Sequence, residues 1–220
     1  MTSYNFSAFA LLCLSSLLAI INPLTTAPLY LSITDGHSPR ERERALRTAI
    51  VTGITVLVAF ALLGGAIFAM FGITIHAFRI AGGLILFGIG LDMLQAKRSR
   101  VRATAEEVQE GLEKEDVGVT PLGVPMIVGP GSITTVMVLM GNAAAMWQVF
   151  VVLGSVFVIL GFTYAVLFQA PRILNVIGST GINVMTRLMG LLVAVIAVQF
   201  VVDGIRPLLV EIMRAAAGGV

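Results

Sequence analysis

The chain is poor in charge. Only 12% of its 220 residues are Asp, Glu, Lys or Arg, about half the share usual in soluble domains. No charged residue occurs from Met1 to Thr34, from Thr48 to Phe78, or from Val117 to Pro171. A single cysteine, Cys13, excludes an internal disulfide framework and a cysteine-built metal site. The net charge of +2 is too small for a nucleic-acid footprint, so no nucleic-acid partner is expected. A Gly-x-x-x-x-Gly-Lys-Ser/Thr phosphate loop is missing, which argues against direct ATP drive, and so is a His-Glu-x-x-His metal motif. The run Gly88-Ile89-Gly90-Leu91-Asp92 resembles the Gly-x-Gly-Asp element of intramembrane aspartyl proteases only superficially, because Leu91 intervenes. No catalytic residues, metal or cofactor are expected, and the chain does not read as an enzyme.

What the sequence has is apolar surface. Hydrophobic residues make up 57% and the mean hydropathy is +0.98, more than a soluble 23.2 kDa domain can hide. A bilayer core about 30 Å thick takes roughly 20 apolar residues of helix. The uncharged stretches accommodate spans at about Phe6 to Leu31, Ala49 to Phe71, Phe78 to Ala96, Pro121 to Met140, Gln148 to Phe168 and Met185 to Leu209. Residues 1–10 contain no Lys or Arg, so the first span reads as a mature helix and not as a cleaved signal. The loop after span one carries Arg40, Arg42, Arg44 and Arg47, the loop after span three Lys97, Arg98, Arg100, Arg102 and Lys114, and the loop after span five Arg172. These positive segments share one face, which is expected to be cytoplasmic, with both termini outside. Membrane lipids are the expected surroundings, and assembly with further copies of the chain is left open.

The sequence repeats itself. Ile20-Ile21-Asn22-Pro23 answers Ile127-Val128-Gly129-Pro130, Gly72-Ile73-Thr74-Ile75 answers Gly181-Ile182-Asn183-Val184, and Arg79-Ile80-Ala81-Gly82 answers Arg187-Leu188-Met189-Gly190. Pro23 and Arg79 lie 56 residues apart, Pro130 and Arg187 57. Three spans per copy is an odd number, so the second copy enters the membrane from the opposite side. The expected fold class is therefore an all-α polytopic membrane protein of six transmembrane helices in two inverted three-helix repeats. Residues 1–97 form the first repeat, 98–118 a charged cytoplasmic linker, and 119–220 the second repeat.

Helices 1 and 4 are expected to break at mid-membrane. Pro23 and Pro28 each lack an amide hydrogen and clash with the carbonyl four residues back. In span four, Gly129-Pro130-Gly131 disfavours a continuous helix. Irregular backbone at membrane depth survives only where protein buries it or a wet cavity solvates it. Half-helices starting at such breaks present free amides and a positive dipole end to a carboxylate, and half-helices ending there present carbonyls to an ammonium. Asn22, Pro23, Thr25, Thr26, Gly129, Pro130, Gly131, Ser132, Thr134 and Thr135 are the candidate substrate residues. The alternative is a pair of proline kinks whose freed carbonyls are satisfied by Ser and Thr.

At these residues the sequence resembles the MarC family of six-span membrane proteins. The resemblance rests on Asn22-Pro23 with Pro28, Pro121-Leu122-Gly123-Val124-Pro125 into Gly129-Pro130-Gly131, Arg79-Ile80-Ala81-Gly82-Gly83, Arg187-Leu188-Met189-Gly190 and Ala197-Val198-Gln199-Phe200. It implies an inner-membrane protein and, as in the family's SnatA-type members, secondary transport of small neutral amino acids such as glycine or alanine. Ser132 stands where the family's run would have a small residue such as Ala. The rival functions are export or channelling of another small polar solute, and a membrane-integrity or assembly role without transport.

Asp92 and Asp203, in the terminal thirds of spans three and six, are candidates for proton or cation coupling, with a wet helix end as the plainer reading. Arg79 and Arg187 read as interface anchors. The small pairs Gly65/Ala69 and Gly190/Ala194 predict close helix approach.

Overall fold

The computed structural model describes residues 5–96 and 117–217, all of whose regular structure is helical. The charged linker, apart from its last two residues, lies outside the described residues. We number the helices α1 (Phe6–Ile21), α2 (Pro23–Ile33), α3 (Pro39–Phe71), α4 (Ile75–Leu94), α5 (Gly118–Ile127), α6 (Pro130–Asn142), α7 (Met146–Phe168) and α8 (Ala170–Ala217). Among the described residues, five helical spans are long and apolar enough to cross a membrane, and six when the bent pair α5–α6 counts as one. The protein is a multi-pass integral membrane protein.

Local chemistry explains most boundaries. The Asn5 side chain caps α1 by accepting from the Ala8 amide at 2.9 Å. At α3, Ser38 accepts from Glu41 N while Glu41 Oε2 accepts from Ser38 N, a reciprocal capping box, and Pro39 takes the first helical position. This start corrects one expectation. Arg40, Arg42, Arg44 and Arg47 lie on the first turns of α3 and not in a loop. At 33 residues, α3 is roughly 50 Å long, so it outreaches the bilayer core.

Two further boundaries differ from the sequence expectation. Thr74 caps α4 by accepting from Ala77 N, so the span begins at Ile75 and the turn shrinks to residues 72–74, with Gly72 left-handed at φ 63°. Likewise Gly181 to Val184 are not a connection, since the sixth span runs from Thr180 to Val210. The interruption falls instead at Gly178, whose φ of 67° and ψ of 172° suit only glycine. Arg172 sits on the short helical stretch before it.

The packing exchanges the two halves. α1 lies on α7 as α5 lies on α3, α2 lies on α8 as α6 lies on α4, and α3 meets α7 while α4 meets α8. The α4–α8 contact is the most extensive, and it is antiparallel. A Cβ at Gly83 would stand 2.7 Å from the Ala197 carbonyl, one at Gly90 2.8 Å from Ala194 N, and one at Gly204 2.9 Å from the His76 carbonyl. Lipid tails are as apolar as leucine, so such backbone approach and the dispersion it brings supply much of the helix association. Gly190 and Ala194 thus meet the partner helix as expected. Gly65 does not, because nothing lies within 4 Å of its Cβ position.

Two apolar clusters result. The larger includes Phe9, Cys13, Leu17, Leu57, Leu122, Val156 and Leu160, and the smaller Ile20, Leu86, Ile89, Val138, Val193 and Ala197. Outward faces carry exposed Leu62, Leu63, Phe150, Phe157, Val158 and Leu191. Such a face suits hydrocarbon better than water.

Candidate functional site

The first break is one residue wide. Asn22 ends α1 in the left-handed region, φ 42° and ψ 74°, with its amide donating to the Leu18 carbonyl at 2.9 Å. Asparagine tolerates this conformation better than most side chains. Pro23 then opens α2, where a missing amide hydrogen costs nothing. The Asn22 carbonyl accepts from Thr25 N at 3.1 Å and Thr26 N at 3.3 Å, and the Thr26 hydroxyl adds a longer bond to it at 3.4 Å. Asn22 is 3% exposed, and its Nδ2 is buried without any hydrogen-bond partner. A buried unpaired amide donor costs about 1–3 kcal/mol.

The second break is wider. Thr120 and Val124, each preceding a proline, are extended inside α5, as steric clash with the following ring requires. The axis then bends by 60° between α5 and α6. Gly129 is buried and Pro130 exposed, whereas the matching Pro23 is buried. The Ser132 hydroxyl donates to the Gly129 carbonyl at 2.9 Å, and that of Thr135 to the Gly131 carbonyl at 2.8 Å. The α6 N-terminus has no side-chain cap. Among the described residues the amides of Gly131 and Ser132 have no acceptor.

The two breaks are neighbours. A Cβ on Gly131 would stand 3.4 Å from Ile20, two residues before Asn22, and 3.1 and 3.0 Å from Leu86 and Ile89 of α4. Gly131 therefore lies against α4 and against Ile20 of α1, close to the end of that helix at Asn22. Thr25 reaches α8, its hydroxyl 3.0 Å from that of Thr186. Since Thr186 donates to the Ile182 carbonyl, Thr25 is the donor between them. Thr134 turns to α4 and seats its methyl where a Cβ on Gly82 would be, 2.0 Å away. The hydroxyls of Thr26, Ser132 and Thr135 are engaged with nearby backbone carbonyls. Among the described residues, the donors left without a partner at the two breaks include the Asn22 side-chain amide and the backbone amides of Gly131 and Ser132.

The candidate carboxylates lie elsewhere. Asp92 is half-buried, one turn beyond Ile89 on α4. Asp203 accepts from Gln199 Nε2 at 2.8 Å and lies within Coulombic reach of Arg79. Arg79 is not a free anchor: its Nη2 donates to Oδ1 of Asn142 at the end of α6. Arg187 is exposed, as an interface anchor would be. Among the described residues no group of three or more His, Cys, Asp or Glu could hold a metal ion.

Sequence reasoning missed Thr186, Asn142 and Gly82. Thr186 and Asn142 become visible only through partners 161 and 63 residues away. Gly82 had appeared only as part of the repeat.

Two broken helices back to back in an all-helical, multi-pass bundle define a class of integral membrane protein with irregular backbone in its interior. The chain belongs to the MarC family: residues 6–209 match that family of integral membrane proteins. It is 36% identical to a UPF0056 membrane protein of Methanocaldococcus jannaschii over 198 residues, 90% of this chain and 96% of the relative. It is 38% identical to the UPF0056 membrane protein YvbG of Bacillus subtilis, covering 87% and 91% of the two chains. With the UPF0056 membrane protein YhcE of Escherichia coli it shares 31% identity over 86% and 88%. No solved structure matches the chain.

Proposed function

We propose that this protein is a secondary transporter of small neutral amino acids, glycine- or alanine-like zwitterions, working by alternating access in the inner membrane with both termini outside. The observation that carries the reading is Asn22 Nδ2, a buried donor without a partner at the first break, while the second break leaves the amides of Gly131 and Ser132 without an acceptor among the described residues. Free amides at a helix N-terminus and an unpaired side-chain amide at the neighbouring break suit a carboxylate. Support for two inverted repeats comes from the exchanged packing and the antiparallel α4–α8 pair, which a twofold axis in the membrane plane would produce. The resemblance to small neutral amino-acid carriers supports the substrate class. Asp92, one turn from the Gly131 contact, is the proposed coupling carboxylate.

Radiolabelled glycine and alanine flux into proteoliposomes, with and without a proton gradient, tests the proposal. Flux above empty vesicles is expected, with gradient-driven accumulation lost in Asp92→Asn. Absence of flux at verified incorporation would favour an assembly role. Uptake of other small polar solutes in its place would favour the exporter or channel reading.

A further inference from the structure

The two halves are not equally engaged. In one, α6 is seated on α4: Gly131 packs on Leu86 and Ile89, Thr134 fills the space at Gly82, and Asn142 receives Arg79. Arg79 Nε is buried without a partner, Asp203 lies within Coulombic reach, and the buried Nδ1 of His76 one turn earlier is also unpartnered. The repeat makes Arg187 the counterpart of Arg79. It also makes Asp35 the counterpart of Asn142, since each stands 12 residues after the proline of its break. The matching contact would be an Arg187–Asp35 ion pair, and it is not made. Both residues are exposed, and among the described residues neither side chain has a hydrogen-bond or ion-pair partner.

The helix register explains why. Were α2 seated on α8 as α6 is on α4, Ala27 would lie on Gly190. The Cβ position of Gly190 instead faces Met93, Leu94 and Gly90 of α4, and Thr25 meets Thr186. By the α4–α6 register Thr25 belongs near Val193, about two turns further along α8, a displacement of roughly 10 Å. Arg79 and Arg187 also lie at opposite ends of the antiparallel pair, the first beside Gly204 and the second beyond Gly190.

We propose that Arg79–Asn142 and Arg187–Asp35 are alternating latches, one at each end of the bundle, closed in turn as α2 and α6 exchange their seating on α8 and α4. This rests on the transporter reading for its purpose but not for its detection. Here the first latch is closed and the second open. When α2 slides to the register now held by α6, Asp35 reaches Arg187 and Arg79 releases Asn142.

The test is pulsed electron–electron distance measurement in liposomes, with spin labels at Ser32→Cys and Asn183→Cys in a Cys13→Ala background. Both label sites are exposed, and they lie on α2 and α8. A second distance, displaced by roughly 10 Å, is expected to gain about tenfold in population in Asn142→Ala, which opens the first latch. Asn142→Asp makes that latch ionic and should suppress the second distance, and Asp35→Asn should remove it. A single distance indifferent to all three substitutions would overturn the latches. Glycine flux is measured separately: responsive distances without flux would leave the latches standing and remove the substrate assignment.

Discussion

The two broken helices solve one problem in opposite ways. In the first, a single left-handed Asn22 separates α1 from α2, its carbonyl accepts from the amides of Thr25 and Thr26, and its side-chain amide is left over. In the second, two prolines distort α5, the axis turns by 60°, side-chain hydroxyls satisfy the carbonyls, and backbone amides are left over. The difference matters because buried donors without acceptors are rare in folded proteins. Thr26, Ser132 and Thr135 spend their hydroxyls on nearby carbonyls and Thr25 spends its own on Thr186, so the donors that remain are amides of two kinds, side-chain and backbone.

The largest effect that would sharpen this comparison is expected at the equivalent glycines Gly190 and Gly82. Gly190→Ala puts a Cβ 2.8 Å from the Leu94 amide nitrogen and 2.9 Å from the Gly90 carbonyl, backbone atoms that cannot step aside. Its cost should reach the upper end of overpacking penalties, about 3 kcal/mol. Gly82→Ala meets only the Thr134 methyl, so Thr134→Ser should restore most of the lost stability. Thermal denaturation in detergent reads both. Equal losses at the two glycines, or no rescue by Thr134→Ser, would break the asymmetry.

Next in size is Asn22→Ala. Removing a donor to a charged carboxylate should weaken binding by about 1.5–3 kcal/mol, roughly tenfold to a hundredfold. The fold should hold at a cost of about 1 kcal/mol, since alanine tolerates the left-handed φ of 42° less well than asparagine but the donor has no partner to lose in the free protein. Calorimetry with glycine checks it, and unchanged affinity would take Asn22 out of the site. Ser132→Ala should have the smallest effect. It removes a neutral bond to the Gly129 carbonyl, worth about 0.5–1.5 kcal/mol of stability, and should leave affinity nearly untouched. A large affinity loss with normal stability would show instead that the hydroxyl itself contacts the solute.

Much of this molecule can be read residue by residue. The spans are legible because an uncharged apolar stretch has no stable alternative to a membrane helix, and the breaks because proline removes a donor wherever it stands. The start of α3 is equally legible in Ser38-Pro39 and Glu41, although four arginines in eight residues read as a loop on charge alone. The kink at Gly178 is not legible, since a glycine's positive φ leaves no mark in the sequence. Arg79 looked like an anchor because its partner, Asn142, is a residue that turns commonly contain.

The sequence by itself determined where helices can exist, where they must break, and that the pattern occurs twice, because proline geometry, capping and hydropathy act within a few residues. Only the tertiary structure decided which donors stay unpaired, which arginine is latched, and that α2 and α6 sit in unequal registers. Those outcomes depend on pairs as far apart as Thr25 and Thr186. The matching local patterns of the two halves do not fix the seating, so the choice belongs to how the helices pack against one another.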